Sequence, residues 1–405
     1  MISRLIKKIL NKTSLPVALK EYLYTQFPLF KINHDPLATR QKKILIAYVN
    51  PMFRNAGVTL HSNISELFII LQYFIERKYE IDLISVESFD YRMLDPVCYD
   101  VIFGFGEPFR YAVKNNANKN AINILYLTES SPSFSLRKEK ERIDYFFERH
   151  RKRIKISRSN LYFRPEDLEL PGFCLLIGGT HTKSTYPPLF DPDRIYCIDP
   201  TALLNTRYRF KERGIEKTRK RFVWFGSNSF VHRGLDVIID AFKLLPDCEL
   251  LIYGYYWDDE KNLKKLIAKA KNIHLMGVMD VQSDNFLKLT ESCSFVISAS
   301  CSEGMSTSLL TCMKHALIPV ATIETGVENI EKLGYLLPGF KVGQITKTIQ
   351  QIMSQPDDGI REKHRVLDRY MATKFDPCSF SAQFSRIMDR AGLNAPSNHP
   401  DTLNN

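Results

Sequence analysis

Apolar residues fall along this chain in short dense runs, separated by longer stretches in which apolar positions recur with a helical period. In the first half such runs cover 43–49, 80–86, 100–105, 122–128 and 175–177. A helix is predicted over 59–77 and a charged helix, rich in Arg, Phe and Tyr, over 134–160. In the second half FVWFG, LLIYG, IHLMG and FVISAS alternate with amphipathic helices. Alternation of strand and helix predicts α/β architecture, with parallel sheets covered on both faces. The runs end in small, polar or acidic residues, at the edge where such a sheet builds a ligand pocket.

The 405 residues suit two domains of ordinary size. Residues 1–41 read as a basic amphipathic leader and a proline-bearing linker, and residues 42–200 as an amino-terminal Rossmann-like domain. Pro187, Pro188, Pro192 and Pro200 mark the passage to a second Rossmann-like domain over 201–373. A helix over 374–392 and a polar, disordered tail over 393–405 complete the chain.

Apolar content of 44% is that of a globular protein. No apolar run reaches the roughly 18 residues of a membrane span, and the charged start lacks a secretory signal's features. The eight cysteines are scattered without a Cys-x-x-Cys pair, so they read as core fillers in a reducing cytoplasm.

The net charge of +11 is clustered. Residues 1–45 hold nine Lys/Arg against two acids, 137–158 ten against four, and 207–221 eight against two. These patches point to a polyanion. Ile2, Leu5, Ile6, Ile9 and Leu10 share one helical face, with Arg4, Lys7, Lys8 and Lys12 mostly off it, which fits an anionic membrane surface met by residues 1–12. A packed or loosely ordered leader helix is the alternative. No nucleic-acid module is apparent.

Two backbone devices that hold phosphate can be placed. Gly226 with Ser227 ends a strand where the main chain can approach an anion closely. The helix start over 306–310, after Met305, offers free N–H groups. Arg233 is a cation placed to pair with an anion held there, and His232 beside it is a weaker candidate. Glu303 can accept from two adjacent hydroxyls. Asp236 reads as structural. No Asp-x-Asp stands where a metal would bridge a diphosphate, and Asp258-Asp259 reads as a solvated loop pair, so neither metal nor cofactor is expected.

Gly226, Arg233-Gly234-Leu235-Asp236, Ser300, Glu303-Gly304 and Pro319-Val320 resemble, in order and spacing, the nucleotide-sugar half of the retaining glycosyltransferases of family 4. The resemblance covers roughly the carboxyl half of the chain. It implies a GT-B fold, two Rossmann-like domains facing across a cleft, with the last helix crossing back to the first domain. It also implies a hexosyltransferase that uses a nucleotide-sugar, UDP on family grounds, and acts with retention on a glycan or lipid-linked acceptor in surface polysaccharide synthesis. The implied donor residues are Gly226, Ser227, Arg233, Gly254, Val278, Glu303, Gly304, Met305, Ser306, Leu310 and Thr311, with Tyr253 a weaker candidate beside the base. Ser227 stands where the family carries Arg, and Thr311 where it carries a ribose-gripping Glu. On the acceptor side stand Gly57, His61, Glu107 and Glu129, with His181 a further candidate; Glu107 or Glu129 could orient or deprotonate an acceptor hydroxyl, and Glu129 is counted with the catalytic residues. A nucleotide-sugar 2-epimerase of the same fold and a non-catalytic binding scaffold remain alternatives. The implied location is cytoplasmic, at the inner face of the membrane if the leader binds lipid.

Overall fold

The computed structural model describes residues 29–33, 41–49, 62–86, 91–158, 162–187, 191–256 and 259–393. Gly57, His61, the leader over 1–12 and the tail over 394–405 lie outside them.

The first sheet runs β1 (Leu29–Ile32), β3 (Glu80–Ser85), β2 (Lys43–Tyr48), β4 (Val101–Gly104), β5 (Ile122–Leu127), β6 (Phe173–Ile177) and β7 (Ile195–Ile198). All pairings are parallel except that of β1 with β3. Two of these strands correct the sequence reading. Leu29–Ile32 lies within the stretch read as leader and linker, and Ile195–Ile198 within the passage between domains. Both are edge strands of four residues, too short for their period to stand out beside prolines. Helix α1 (Ser62–Glu76) connects β2 to β3, and α2 (Gly106–Asn115) follows β4.

The second sheet runs β10 (Ile273–Gly277), β9 (Glu249–Gly254), β8 (Arg221–Gly226), β11 (Phe295–Ser298), β12 (Ile318–Ala321) and β13 (Tyr335–Leu336), all parallel. This is the doubly wound dinucleotide-binding order, whose direction of winding reverses between β8 and β11. Ligands of such sheets sit beyond the carboxyl ends of the strands at that reversal, which are here the residues after Gly226 and Ser298.

Helix α3 (Pro132–His150) follows β5 of the first sheet but docks on the second domain. Phe146 belongs to the hydrophobic core around β8, and Arg142 donates to the carbonyl oxygen of Ala299 at 2.7 Å. Arg149 pairs with Asp236 and Asp240. Arg142 and Arg149 of the basic stretch 137–158 therefore hold α3 to the second domain, while Arg137, Lys140, Arg151, Lys152, Arg153 and Lys155 are exposed. In the stretch 207–221, Arg213 is buried and donates to the carbonyl oxygens of Thr290 and His315, and Arg219 pairs with Asp357, all within the second domain. Helix α13 (Pro377–Arg390) returns to α1, where Phe384 packs on Phe74 and Phe103. No helix among the described residues is long and apolar enough to cross a membrane.

Candidate active site

A cavity of about 290 Å³ lies between the two sheets at their carboxyl edges. The second domain lines it with Gly226, Ser227, Arg233, Gly254, Val278, Glu303, Gly304, Met305, Ser306 and Thr311. The first domain contributes Glu66, Glu129 and Arg158, and the linker contributes Pro200 and Leu203. The fold thus gathers most of the expected donor residues. Leu310 is the correction: it is fully buried in the core and its N–H bonds the Ser306 carbonyl. It follows from the pitch of α9 (Thr307–Met313), which turns position 310 away from the face that carries 311. Tyr253 is buried and faces a separate surface groove with Met276 and His274.

Glu303 is the centre of the charge arrangement. Its Oε1 meets Arg233 Nη1 at 2.9 Å and the Ser300 hydroxyl at 2.8 Å, and its Oε2 meets Arg158 Nη1 at 3.4 Å. Burial acts to raise its pKa, but Arg233, Arg158, His232 and the Ser300 hydroxyl override this and hold it at about 2. It is a pure hydrogen-bond acceptor at any physiological pH. Arg233 is set by its own loop: Nε donates to the Asn228 carbonyl at 3.2 Å. That loop is tied by Asp259, which accepts from the N–H groups of Ser229 and Phe230 at 2.7 and 3.2 Å, so Asp259 is a structural clasp and not a solvated acid. Gly234 then turns the chain into α6 (Leu235–Lys243) with φ at 67°, and a Cβ there would lie 2.1 Å from the Ala299 carbonyl oxygen.

His232 lies behind this pair, fully buried, with Nδ1 3.6 Å from Glu139 on α3. Burial acts to lower its pKa, but hydrogen bonds to Cys301 and Glu139 outweigh it and raise it to about 9. It is a cation, but one committed to Glu139 and the Ser302 carbonyl, not to the cavity. Asp236 is buried against Arg149, as its structural reading expects.

Thr311 accepts the Leu203 N–H through its hydroxyl at 3.2 Å, so the linker occupies part of its bonding capacity. Glu129 lines the cavity and pairs with Arg158 at 3.4 Å. Glu107 does not reach the cavity. Helix α2 begins at Gly106, which places Glu107 in its first turn, bound to Arg110 at 3.1 Å and to Arg164. His181 lies in another groove with Ile323 and Glu328, and burial lowers its pKa. Among the described residues no group of three or more His, Cys, Asp or Glu is placed to hold a metal.

Residues 219–355 match the family described as Glycosyl transferases group 1. The matched segment is about a third of the chain. It contains the cavity's Gly226, Arg233 and Glu303. No curated protein matches the chain by sequence. Solved structures with the GT-B fold superpose on both domains. HepE from Anabaena, in complex with UDP and glucose, is 12% identical with a TM-score of 0.57, over 86% of this chain and 100% of its own. WaaG, described as a glycosyltransferase involved in lipopolysaccharide biosynthesis, is 14% identical with a TM-score of 0.56, over 85% and 98%. A variant of S. aureus TarM, in complex with fondaparinux, α-GlcNAc-glycerol and UDP, is 16% identical with a TM-score of 0.52. The match takes in 74% of this chain and spans only 58% of TarM. The two domains together form a GT-B fold.

Two residues that line the cavity have no local sequence signal. One is Arg158, in the irregular segment after α3. The other is Glu66 on α1, whose Oε1 accepts the Thr201 N–H at 2.9 Å and whose Oε2 accepts the Tyr126 hydroxyl at 3.2 Å. Burial raises the Glu66 pKa from 4.5 to about 7, against those hydrogen bonds. The folded state therefore holds this proton more tightly than the unfolded chain. The associated stability is complete below about pH 4.5 and is lost as pH rises through about 7. It amounts to roughly 3 kcal/mol between the two limits. Glu66→Gln is expected to flatten the fall in melting temperature between pH 5 and pH 8, measured by calorimetry; a slope equal to that of the unaltered protein would refute the assignment.

Proposed function

We propose that this protein moves a sugar from a nucleotide-sugar donor, a UDP-sugar, to a hydroxyl of a glycan or lipid-linked acceptor, with retention at the anomeric carbon. The observation that carries this reading is the Arg233–Glu303 pair at the point where the second sheet reverses its winding. UDP in the HepE and TarM complexes supports the choice of nucleotide. The lipopolysaccharide role in the WaaG description supports a surface-glycan acceptor.

In this reading the nucleotide lies over Gly254 and Val278, its diphosphate over Gly226, Ser227 and Arg233, and the sugar hydroxyls against Glu303. The bond between the anomeric carbon and the diphosphate oxygen breaks, and its electron pair leaves with the diphosphate. The acceptor oxygen bonds the anomeric carbon on the same face, and its proton passes to the departing diphosphate oxygen. Arg233 offsets the charge that develops there, and Glu129 orients the acceptor hydroxyl. The guanidinium takes the part a metal would play, so transfer is expected to persist in EDTA. Peripheral attachment through residues 1–12, on the cytoplasmic face of a membrane, belongs to the same proposal.

The test is incubation with a panel of UDP-sugars and short glycan acceptors, with the anomeric configuration of the product read by NMR. An α-linked product from an α-linked donor, formed in EDTA, is the expected result. Inversion would overturn the retaining mechanism. Release of an altered free sugar without transfer would make the protein an epimerase. Failure to consume any donor would leave a binding scaffold.

A further inference from the structure

A leaving nucleoside diphosphate carries more than one negative charge, and a single guanidinium neutralises only one. Among the described residues that line the cavity the only cations are Arg233 and Arg158, and they come from different domains. Ser227, at the strand end where the diphosphate would pass, has a hydroxyl and no charge. We propose that Arg158, delivered across the cleft by the amino-terminal half of the chain, is the second cation that receives the diphosphate. This inference rests on the nucleotide-sugar reading above.

The structure builds a seat for this side chain. The segment after α3 has no secondary structure of its own, yet it is fixed by Glu139, a carboxylate buried on α3. Glu139 accepts the N–H of Ser157 at 2.8 Å and the N–H of Arg158 at 3.2 Å. Burial acts to raise its pKa, but its bonds to His232 and Ser157 hold it at about 2, so it stays ionised and keeps its grip. Glu139 faces His232, the neighbour of Arg233 in sequence, so one buried carboxylate holds the backbone of one arginine and the residue beside the other.

Arg158 is not committed in this seat. Both its ion pairs, to Glu303 Oε2 and Glu129 Oε1, use Nη1 at 3.4 Å, longer than the 2.7–2.9 Å of a well-formed charged hydrogen bond. More than a quarter of its side chain, 28%, remains accessible. Both carboxylates it touches are ones the proposed reaction needs for sugar and acceptor hydroxyls. A diphosphate would take Arg158 from them by offering shorter, bidentate contacts, and the same event would free Glu303 and Glu129 for those hydroxyls. In this arrangement Arg158 responds to the diphosphate group and not to the nucleoside.

Calorimetric titration with UDP and with UMP separates these parts. For Arg158→Ala, UDP affinity is expected to fall roughly 10- to 100-fold, as for loss of charged hydrogen bonds, while UMP affinity stays within about twofold. Arg158→Lys should recover part of the loss. Ser227→Arg placed in the Arg158→Ala protein should recover more, since it supplies a cation from the other side of the same cavity. A purely structural role would weaken both nucleotides alike or lower the melting temperature without discrimination, and either result overturns the proposal. So would unchanged UDP affinity, or failure of Ser227→Arg to restore it. If Arg158→Ala does not fold, Arg158→Gln, close to it in length, carries the same comparison. If the unaltered protein bound neither nucleotide, the nucleotide-sugar reading itself would fail, a result visible before any variant is made.

Discussion

Glu303→Gln is expected to lower kcat/KM for sugar transfer by roughly 100- to 1,000-fold, the range for removing one preorganised charged partner of a transition state. Glutamine keeps the shape of the side chain and can still accept the Ser300 hydroxyl, now 2.8 Å from Oε1. It cannot balance Arg233 and Arg158 together, nor accept at both oxygens from adjacent sugar hydroxyls. Because Glu303 is held at about 2, the loss should be the same at pH 6 and pH 8. A kinetic pH series therefore distinguishes a charge-fixed acceptor from a general base, whose removal would abolish a pH-dependent limb. A variant with unchanged kcat/KM would show that the Arg233–Glu303 pair only supports the fold.

Gly304→Ala should damage the protein by another route, through the fit of the two domains. A Cβ on Gly304 would stand 2.4 Å from the carbonyl oxygen of Thr128 and 2.7 Å from that of Ile177, both at strand ends of the other domain. Neither is a flexible side-chain tip, so the loop or the domain contact must move. The carbonyls of residues 303 and 304 are also bound across the cleft, by Ser130 at 2.7 Å and by Thr182. A stability loss of about 1–3 kcal/mol is expected from the forced contact, and a displacement of about 1 Å at the reacting groups should cost roughly 100-fold in rate. Gly343→Ala, where a Cβ would meet nothing within 4 Å, is the control expected to leave both unchanged. Melting temperature and transfer rate of the two variants check the pair. Equal behaviour would show that the cleft has slack at Gly304.

The sequence by itself determined what depends on neighbours along the chain. The apolar runs set β2 to β6 and β8 to β11, because a strand buried on both faces is a local run of apolar residues. Gly226 at the end of β8, Gly234 before α6 and Glu303-Gly304 after β11 were legible because turn and cap chemistry is local too. Tertiary structure decided whatever depends on residues distant in sequence. Arg158 reaches Glu303 across 145 positions, and nothing near residue 158 marks it apart from the nine other basic residues of its stretch. Arg149 read as part of a surface patch because the acids that hold it, Asp236 and Asp240, stand about ninety positions further on. Glu107 read as facing the cleft until the start of α2 at Gly106 turned it toward Arg110. Glu66 drew no reading from sequence, and only the packing of α1 under the linker buries its carboxyl against Thr201 and Tyr126. Local spacing fixes which elements form and where each chain reversal falls. The charge balance of the cavity is a sum over two domains and α3 between them, and that sum exists only once the chain is folded.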